Sequence, residues 1–182
     1  PYLMTPKTNG MVVVWELDKP MKSTITYGTS DADKKTLEVP VEEGEKFKGE
    51  SMHMYRARLT NLTPGTTYTY KVETEDGQTV EGHFRTLPEN SDEIRFVVVS
   101  DSHRFETATK VSDVIAQFDP DFILHTGDMV EGTGSQKDQF PYWFQNVGSF
   151  LHNVPVIYNS GNHDYGVYFD EYVTKVQKEQ YK

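Results

Sequence analysis

Three short polar segments follow three apolar runs in order: Asp101-Ser102-His103 after Phe96-Val97-Val98-Val99, Gly127-Asp128 after Phe122-Ile123-Leu124, and Gly161-Asn162-His163-Asp164 after Val156-Ile157-Tyr158. Carboxylate, imidazole and amide oxygen are donors that mixed oxygen and nitrogen cation sites use. In-line hydrolysis of a phosphate ester needs one charge to make hydroxide from water and another to steady the transferring oxygens, and two cations about 3.5 to 4 Å apart supply both. The residue types and their order point to half of such a site.

Taken one at a time, these residues have simpler explanations. An Asp at a strand end caps a helix or forms a turn, and Asn162 beside Gly161 suits an ordinary turn. Three separate loops that all carry cation-binding side chains are harder to explain as turns alone. His53, His83, His125 and His152 have no partner at ligand spacing and read as structural or exposed. Asn61-Leu62-Thr63 matches a glycosylation acceptor but lies inside a strand-and-turn pattern, and reads as incidental.

The elements that must position these loops divide the chain in two. At 182 residues there is room for one large domain or two of moderate size. A composition of 36% hydrophobic and 25% charged residues argues against disorder. The net charge of -10, with no run of Lys or Arg, disfavours binding to nucleic acid backbones or anionic membranes. With no Cys, disulfides, thiolate zinc sites and a Cys nucleophile are excluded. The apolar stretches are too short to span a bilayer, and the opening Pro1-Tyr2-Leu3 reads as mature or trimmed sequence without a signal peptide.

Residues 1–88 read as a small antiparallel β-sandwich. Strand patterns cover Met11–Leu17, Ser23–Tyr27, Met52–Leu59, Thr67–Thr74 and Thr79–Thr86, with turn signals such as Gly28-Thr29-Ser30-Asp31 and Glu75-Asp76-Gly77 between them. The segment from Leu62 to Val72 resembles the turn-and-strand signature of fibronectin type III domains, with Tyr68 as the corner tyrosine and Trp15 as the core tryptophan. Leu87–Glu93 reads as a linker. Residues 89–182 read differently. An apolar strand precedes Ala108, Val111, Val114, Ile115 and Phe118 at helical spacing, and a second strand follows. A second helix is signalled by Phe140, Trp143, Phe144, Val147, Phe150 and Leu151, ahead of the strand through Val156, Ile157 and Tyr158. Strand, helix, strand means a parallel sheet, and loops at the carboxyl ends of parallel strands converge on a shared crevice.

Residues 94–166 resemble the first part of the calcineurin-like metallophosphoesterase superfamily, whose early motifs run Asp-x-His, Gly-Asp and Gly-Asn-His followed by an acid. Here Asp128 lies 27 positions after Asp101, and Asn162 a further 34 after Asp128. With the fibronectin-like domain in front, the layout is similar to that of secreted purple acid phosphatases. The implied fold is an all-β sandwich followed by the first half of an α/β domain of the αββα type. The implied function is two-metal phosphoester hydrolysis with hydroxide attacking phosphorus. The resemblance makes Asp101 and His103 ligands of a first ion, Asp128 a bridge between two ions and Asn162 a ligand of the second. His163 is implied to assist the leaving oxygen, and Glu131, three residues past Asp128, to orient that histidine. Asp164 reads as loop support, and Arg104 as a surface residue or a phosphate contact. The cofactors implied are two divalent ions, with manganese, iron, zinc or cobalt all admissible.

Two departures matter. Purple acid phosphatases carry Gly at the position of His103 and a metal-binding Tyr at the position of Glu131, so a purple ferric site is not implied. Family members also complete their ligand shells with later histidines, whereas no histidine follows His163. The expectation is an incomplete fragment, inactive alone, whose partners are a small phosphoester and the missing carboxyl-terminal half of the same polypeptide. The domain layout suggests an extracytoplasmic or secreted location. Phosphomonoesters, phosphodiesters and nucleotide pyrophosphates all remain open as substrates. An alternative is a binding or adhesion module on a degenerate phosphoesterase scaffold.

Overall fold

The computed structural model describes residues 1–44, 51–91, 93–103, 106–132 and 136–178. Arg104 lies outside them. The first part of the chain forms β1 (Tyr2–Met4), β2 (Gly10–Leu17), β3 (Ser23–Gly28), β4 (Lys35–Val39), β5 (Val41–Glu43), β6 (His53–Thr60), β7 (Thr67–Thr74) and β8 (Thr79–Arg85). The second part runs β9 (Phe96–Val99), α1 (Thr107–Phe118), β10 (Phe122–His125), α2 (Gln136–Asn146), α3 (Gly148–Leu151) and β11 (Val156–Tyr158). It continues through α4 (Val167–Phe169), a π-helical turn (Asp170–Thr174) and α5 (Lys175–Lys178).

Alternation builds the sandwich. In β7, Tyr68, Tyr70, Val72 and Thr74 are buried while their neighbours are exposed or half-buried, as a two-residue period requires. The Tyr68 hydroxyl accepts the Thr63 N–H at 2.9 Å, which is the corner contact expected of a fibronectin-like domain. The smaller sheet runs β4-β3-β7-β8.

The larger sheet runs β5-β6-β2-β1-β11-β10-β9 and belongs to both halves of the chain. Its join is β1, antiparallel to β2 on one side and parallel to β11 on the other, where Met4 pairs with Val156. Each face of β1 serves a different core. Leu3, with Val13, Trp15 and Tyr55, packs toward the smaller sheet with Ile25, Tyr70 and Phe84. Tyr2 and Met4, with Val14 and Met54, pack with Phe140, Trp143, Phe150 and Tyr172 of the helical layer.

The strands β9, β10 and β11 are parallel and in direct register, with Phe122 opposite Phe96 and Ile123 opposite both Val97 and Val156. The expected strand-helix-strand pattern is therefore present. One detail differs from the sequence reading, because the apolar positions of α1 divide between two faces. Ala108 and Ile115 are buried, whereas Val111, Val114 and Phe118 are more than half exposed. The second expected helix is broken into α2 and α3 at Val147, which leaves helical geometry with φ -105° and ψ 16° ahead of Gly148. The strands β1, β4 and β5 were not expected. Two of them are edge strands, and β4 is exposed at four of five positions, so they carry little alternation to read.

Candidate metal centre

Each of the three polar segments begins within three residues of the carboxyl end of a parallel strand, and the strands are neighbours. Main-chain bonds then tie the loops to one another. The Asp101 N–H donates to the Gly127 carbonyl at 3.0 Å, and the His103 N–H donates to the Asp128 carbonyl at 3.1 Å. The third loop joins through side chains. The Asp128 Oδ1 accepts the His163 N–H at 2.8 Å. Asp164, 4% exposed, accepts Met129 N–H at 2.9 Å and Val130 N–H at 3.4 Å on Oδ1, and Gly161 N–H at 3.1 Å on Oδ2. The Tyr165 hydroxyl adds a bond to the Gly132 carbonyl at 2.8 Å.

Glycine is required where these loops meet. A Cβ at Gly161 would stand 2.2 Å from Asp128 Oδ1, and one at Gly127, whose φ is 122°, would stand 2.4 Å from Gly161 N. Asp101, His103 and Asp128 also hold positive φ, at 50°, 43° and 55°. Side-chain-bearing residues adopt this left-handed region at a cost, and such outliers gather at functional sites.

The structure brings Asp101, His103, Asp128, Glu131 and His163 onto connected loops. Asp101 is exposed, and its carboxylate accepts the Ser100 hydroxyl. Asp128 is 9% exposed and engages one oxygen with His163 N–H. Asn162 is exposed beside it in the chain. The His103 Nδ1 lies 3.2 Å from the Val130 carbonyl. A carbonyl only accepts, so Nδ1 donates this bond, and in the neutral ring the lone pair then belongs to Nε2. The rings of His103 and His163 meet edge to face at 5.5 Å. The His163 Nδ1 in turn donates to the Glu131 carbonyl, so Glu131 meets that ring through its main chain. This bond, opposed by desolvation and aided by the charges of Asp128, Glu131 and Asp164, raises the His163 pKa above the usual imidazole value.

Among the described residues, no three His, Cys, Asp or Glu side chains converge into a ready cation cage. The donor chemistry still fits divalent ions. Two carboxylates, an imidazole oriented at Nδ1 by a main-chain acceptor, and an amide oxygen make a hard, mixed oxygen and nitrogen set.

Sequence reasoning missed the residues behind the loops. His125 is 1% exposed, and burial pushes its imidazole down to about 4 against the opposing pull of Asp101 and Asp128. Its Nε2 lies 2.7 Å from the Ser102 hydroxyl, which also accepts the Trp143 indole N–H at 2.8 Å. The available signal was a histidine ending an apolar strand two residues before Gly127, where burial without a polar partner would be costly.

Comparison with known proteins agrees with this arrangement. Residues 2–86 match the family described as Purple acid Phosphatase, N-terminal domain, and residues 94–181 match Calcineurin-like phosphoesterase. The second half of the chain thus matches the calcineurin-like phosphoesterases, and the two domains in this order match the architecture of the purple acid phosphatases. Among solved structures, the chain is similar to purple acid phosphatase PPD1 from yellow lupin (Lupinus luteus) seeds, at 20% identity and TM-score 0.72. It is also similar to PhoD, at 14% identity and TM-score 0.66. Each match covers 90% of this chain, which spans only 35% and 38% of those two proteins. No curated protein matches the chain significantly. No helix among the described residues is long and apolar enough to cross a membrane.

Proposed function

We propose that this chain is part of a metal-dependent phosphoester hydrolase in which Asp101, His103, Asp128 and Asn162 hold two divalent ions and His163 serves the leaving oxygen. The observation that carries this reading is the position of Asp128. Its carbonyl holds the His103 loop and its carboxylate holds the His163 loop, with one oxygen still uncommitted to the His163 N–H. A pair of bound divalent ions supplies the charge that generates the nucleophile and offsets the phosphoryl oxygens. The remaining roles belong to the chain itself. Asp128 would hold both ions, because one carboxylate can offer an oxygen to each of two neighbours. His103 is aimed by the Val130 carbonyl. His163, held at Nδ1 by the Glu131 carbonyl, has Nε2 free to carry a proton to a departing alcohol oxygen.

The working enzyme includes further polypeptide that covers an apolar surface. Phe96 and Val98 of the edge strand β9, with Val111, Val114 and Phe118 of α1, are each more than half exposed. Exposed large apolar side chains on an edge strand and a helix face are surfaces that further polypeptide can cover. The similar solved structures are much longer than this chain, which is consistent with covering by a later segment that also completes the ligand shell. The substrate class is a small phosphoester. The layout shared with purple acid phosphatases supports an extracytoplasmic location.

Reconstitution with manganese, zinc or cobalt followed by plasma mass spectrometry tests the centre, and hydrolysis of an aryl phosphate by a chain extended with its downstream sequence tests the reaction. Asp128→Ala is expected to abolish both. Equal metal content or full activity in that variant would overturn the proposal, and neither metal binding nor activity in the extended wild-type chain would leave the binding-module reading standing.

A further inference from the structure

The side chain of Ser102 lies between two candidate ligands, yet its bonds run into the interior. An indole N–H and a main-chain N–H can each only donate, which fixes the tautomer of His125 in this cluster. The His125 Nδ1 accepts the Gly127 N–H at 3.2 Å, so Nδ1 is bare and Nε2 carries the hydrogen. The Ser102 oxygen therefore accepts from His125 Nε2 at 2.7 Å and from Trp143 Nε1 at 2.8 Å. The rings of His125 and Trp143 also pack edge to face at 5.7 Å. In this way α2, the end of β10, the first loop and the second loop are joined through one hydroxyl.

We propose that Ser102, backed by His125 and Trp143, is a positioning residue that fixes the Asp101–His103 loop against the Gly127–Asp128 loop. This inference rests on the reading of Asp101, His103 and Asp128 as cation ligands. The need for such a device is visible in the backbone. Asp101, His103 and Asp128 hold positive φ, a state that in residues with a Cβ persists only where the surroundings over-determine it. Two main-chain bonds join the loops on one side. The Ser102 cluster anchors them from the other, in a buried setting where hydrogen bonds strengthen and leave little slack.

Ser102→Ala removes the shared acceptor, whereas Ser102→Thr keeps it. Ser102 lines a cavity of about 230 Å³ with Val99, Ala108 and Ser112, which has room for the added methyl. The first readout is amide hydrogen exchange in metal-free protein at Asp101 and His103, with Val72 in β7 as a distant reference. The second is affinity for Mn²⁺ by calorimetry. Ser102→Ala is expected to speed exchange at both loop amides about 10-fold while leaving Val72 unchanged, and to weaken Mn²⁺ binding about 10- to 100-fold. Ser102→Thr is expected to stay near wild type in both. If Ser102→Ala does not fold, Trp143→Phe removes one of the same bonds from the other end and is expected to act in the same direction. Wild-type exchange and affinity in Ser102→Ala, equal losses in Ser102→Thr, or equal acceleration at Val72 would each overturn the proposal. If the wild-type chain binds no Mn²⁺, the ligand reading fails, and exchange alone decides the positioning role.

Discussion

The Asp128 carboxylate caps the main chain of His163, accepting its N–H at 2.8 Å, while Gly161 lies directly beneath the same carboxylate. Two loops separated by more than 30 residues are thus locked through one acid that is also the proposed bridge between cations. An acid held this way cannot swing freely, so the cost of aiming it is met during folding rather than when a cation binds.

Gly161→Ala tests the lock. The added Cβ would meet Asp128 Oδ1 at 2.2 Å and Asp128 N at 2.5 Å, closer than real contacts allow. The loops must part, and overpacking of this kind costs about 1 to 3 kcal/mol. Urea denaturation is expected to show a loss of about 2 kcal/mol, accompanied by weakened cation binding. Unchanged stability would mean that the loops separate readily.

Asp164 reads from the sequence as loop support, and its bonds make that quantitative. Three main-chain donors, from Met129, Val130 and Gly161, converge on its two oxygens. Hydrogen bonds to a charged group contribute about 1.5 to 3 kcal/mol, and orphaned buried donors add to the loss. Asp164→Ala is expected to destabilise by about 3 kcal/mol. Asp164→Asn is expected to be intermediate, because its amide nitrogen faces an N–H. The comparison by thermal and urea unfolding checks both.

Stability of the metal-free chain should fall in acid partly through His125. Burial holds its folded imidazole near 4, against 6.5 for the ordinary group. Between those values the unfolded chain binds the extra proton, so stability is fully present above about 6.5 and is lost as pH falls toward 4. The loss from this one group approaches about 3 kcal/mol. His125→Phe is expected to flatten the slope over that interval, whatever its effect on absolute stability. An unchanged slope would show that His125 is not held neutral by burial.

The fold and the loops were legible in the sequence to different depths. Alternation in β7 and the apolar runs of β2 and β9 to β11 announced the strands, because burial on one face or on both leaves a simple pattern. The three polar segments announced the loops because metal-capable side chains rarely collect by accident. The Ser102, His125 and Trp143 cluster did not announce itself, since its members lie 23 and 41 residues apart along the chain and meet only through packing. Likewise β1 is three residues long and reveals its role only when its parallel partner β11 is known. The sequence divides at the linker, yet the larger sheet runs through both halves.

That continuity yields a prediction about unfolding. Besides sharing a sheet, the halves are joined by buried polar contacts. The Tyr2 hydroxyl donates to the Tyr172 carbonyl at 2.6 Å, and the Tyr172 hydroxyl donates to Glu16 at 2.5 Å. Arg56 of β6, with 2% side-chain exposure, pairs with Glu171 at 3.2 Å and Glu42 at 2.6 Å, and also donates to the Glu171 carbonyl at 2.7 Å. Glu171 is buried to 1% and meets Lys175 as well. Removing one partner of a buried ion pair costs about 3 to 5 kcal/mol, because the other charge is left uncompensated. The chain has two tryptophans, Trp15 in the sandwich core and Trp143 in the helical layer, so each half carries its own fluorophore. Read separately through Trp143→Phe and Trp15→Phe variants, each compared with its own circular dichroism transition, the two probes are expected to report one cooperative unfolding step. Glu171→Ala should lower both midpoints together, by about 3 kcal/mol in unfolding free energy. If only the Trp143 signal moved while the Trp15 signal kept its midpoint, the shared sheet would be a contact between independently stable halves rather than one cooperative unit.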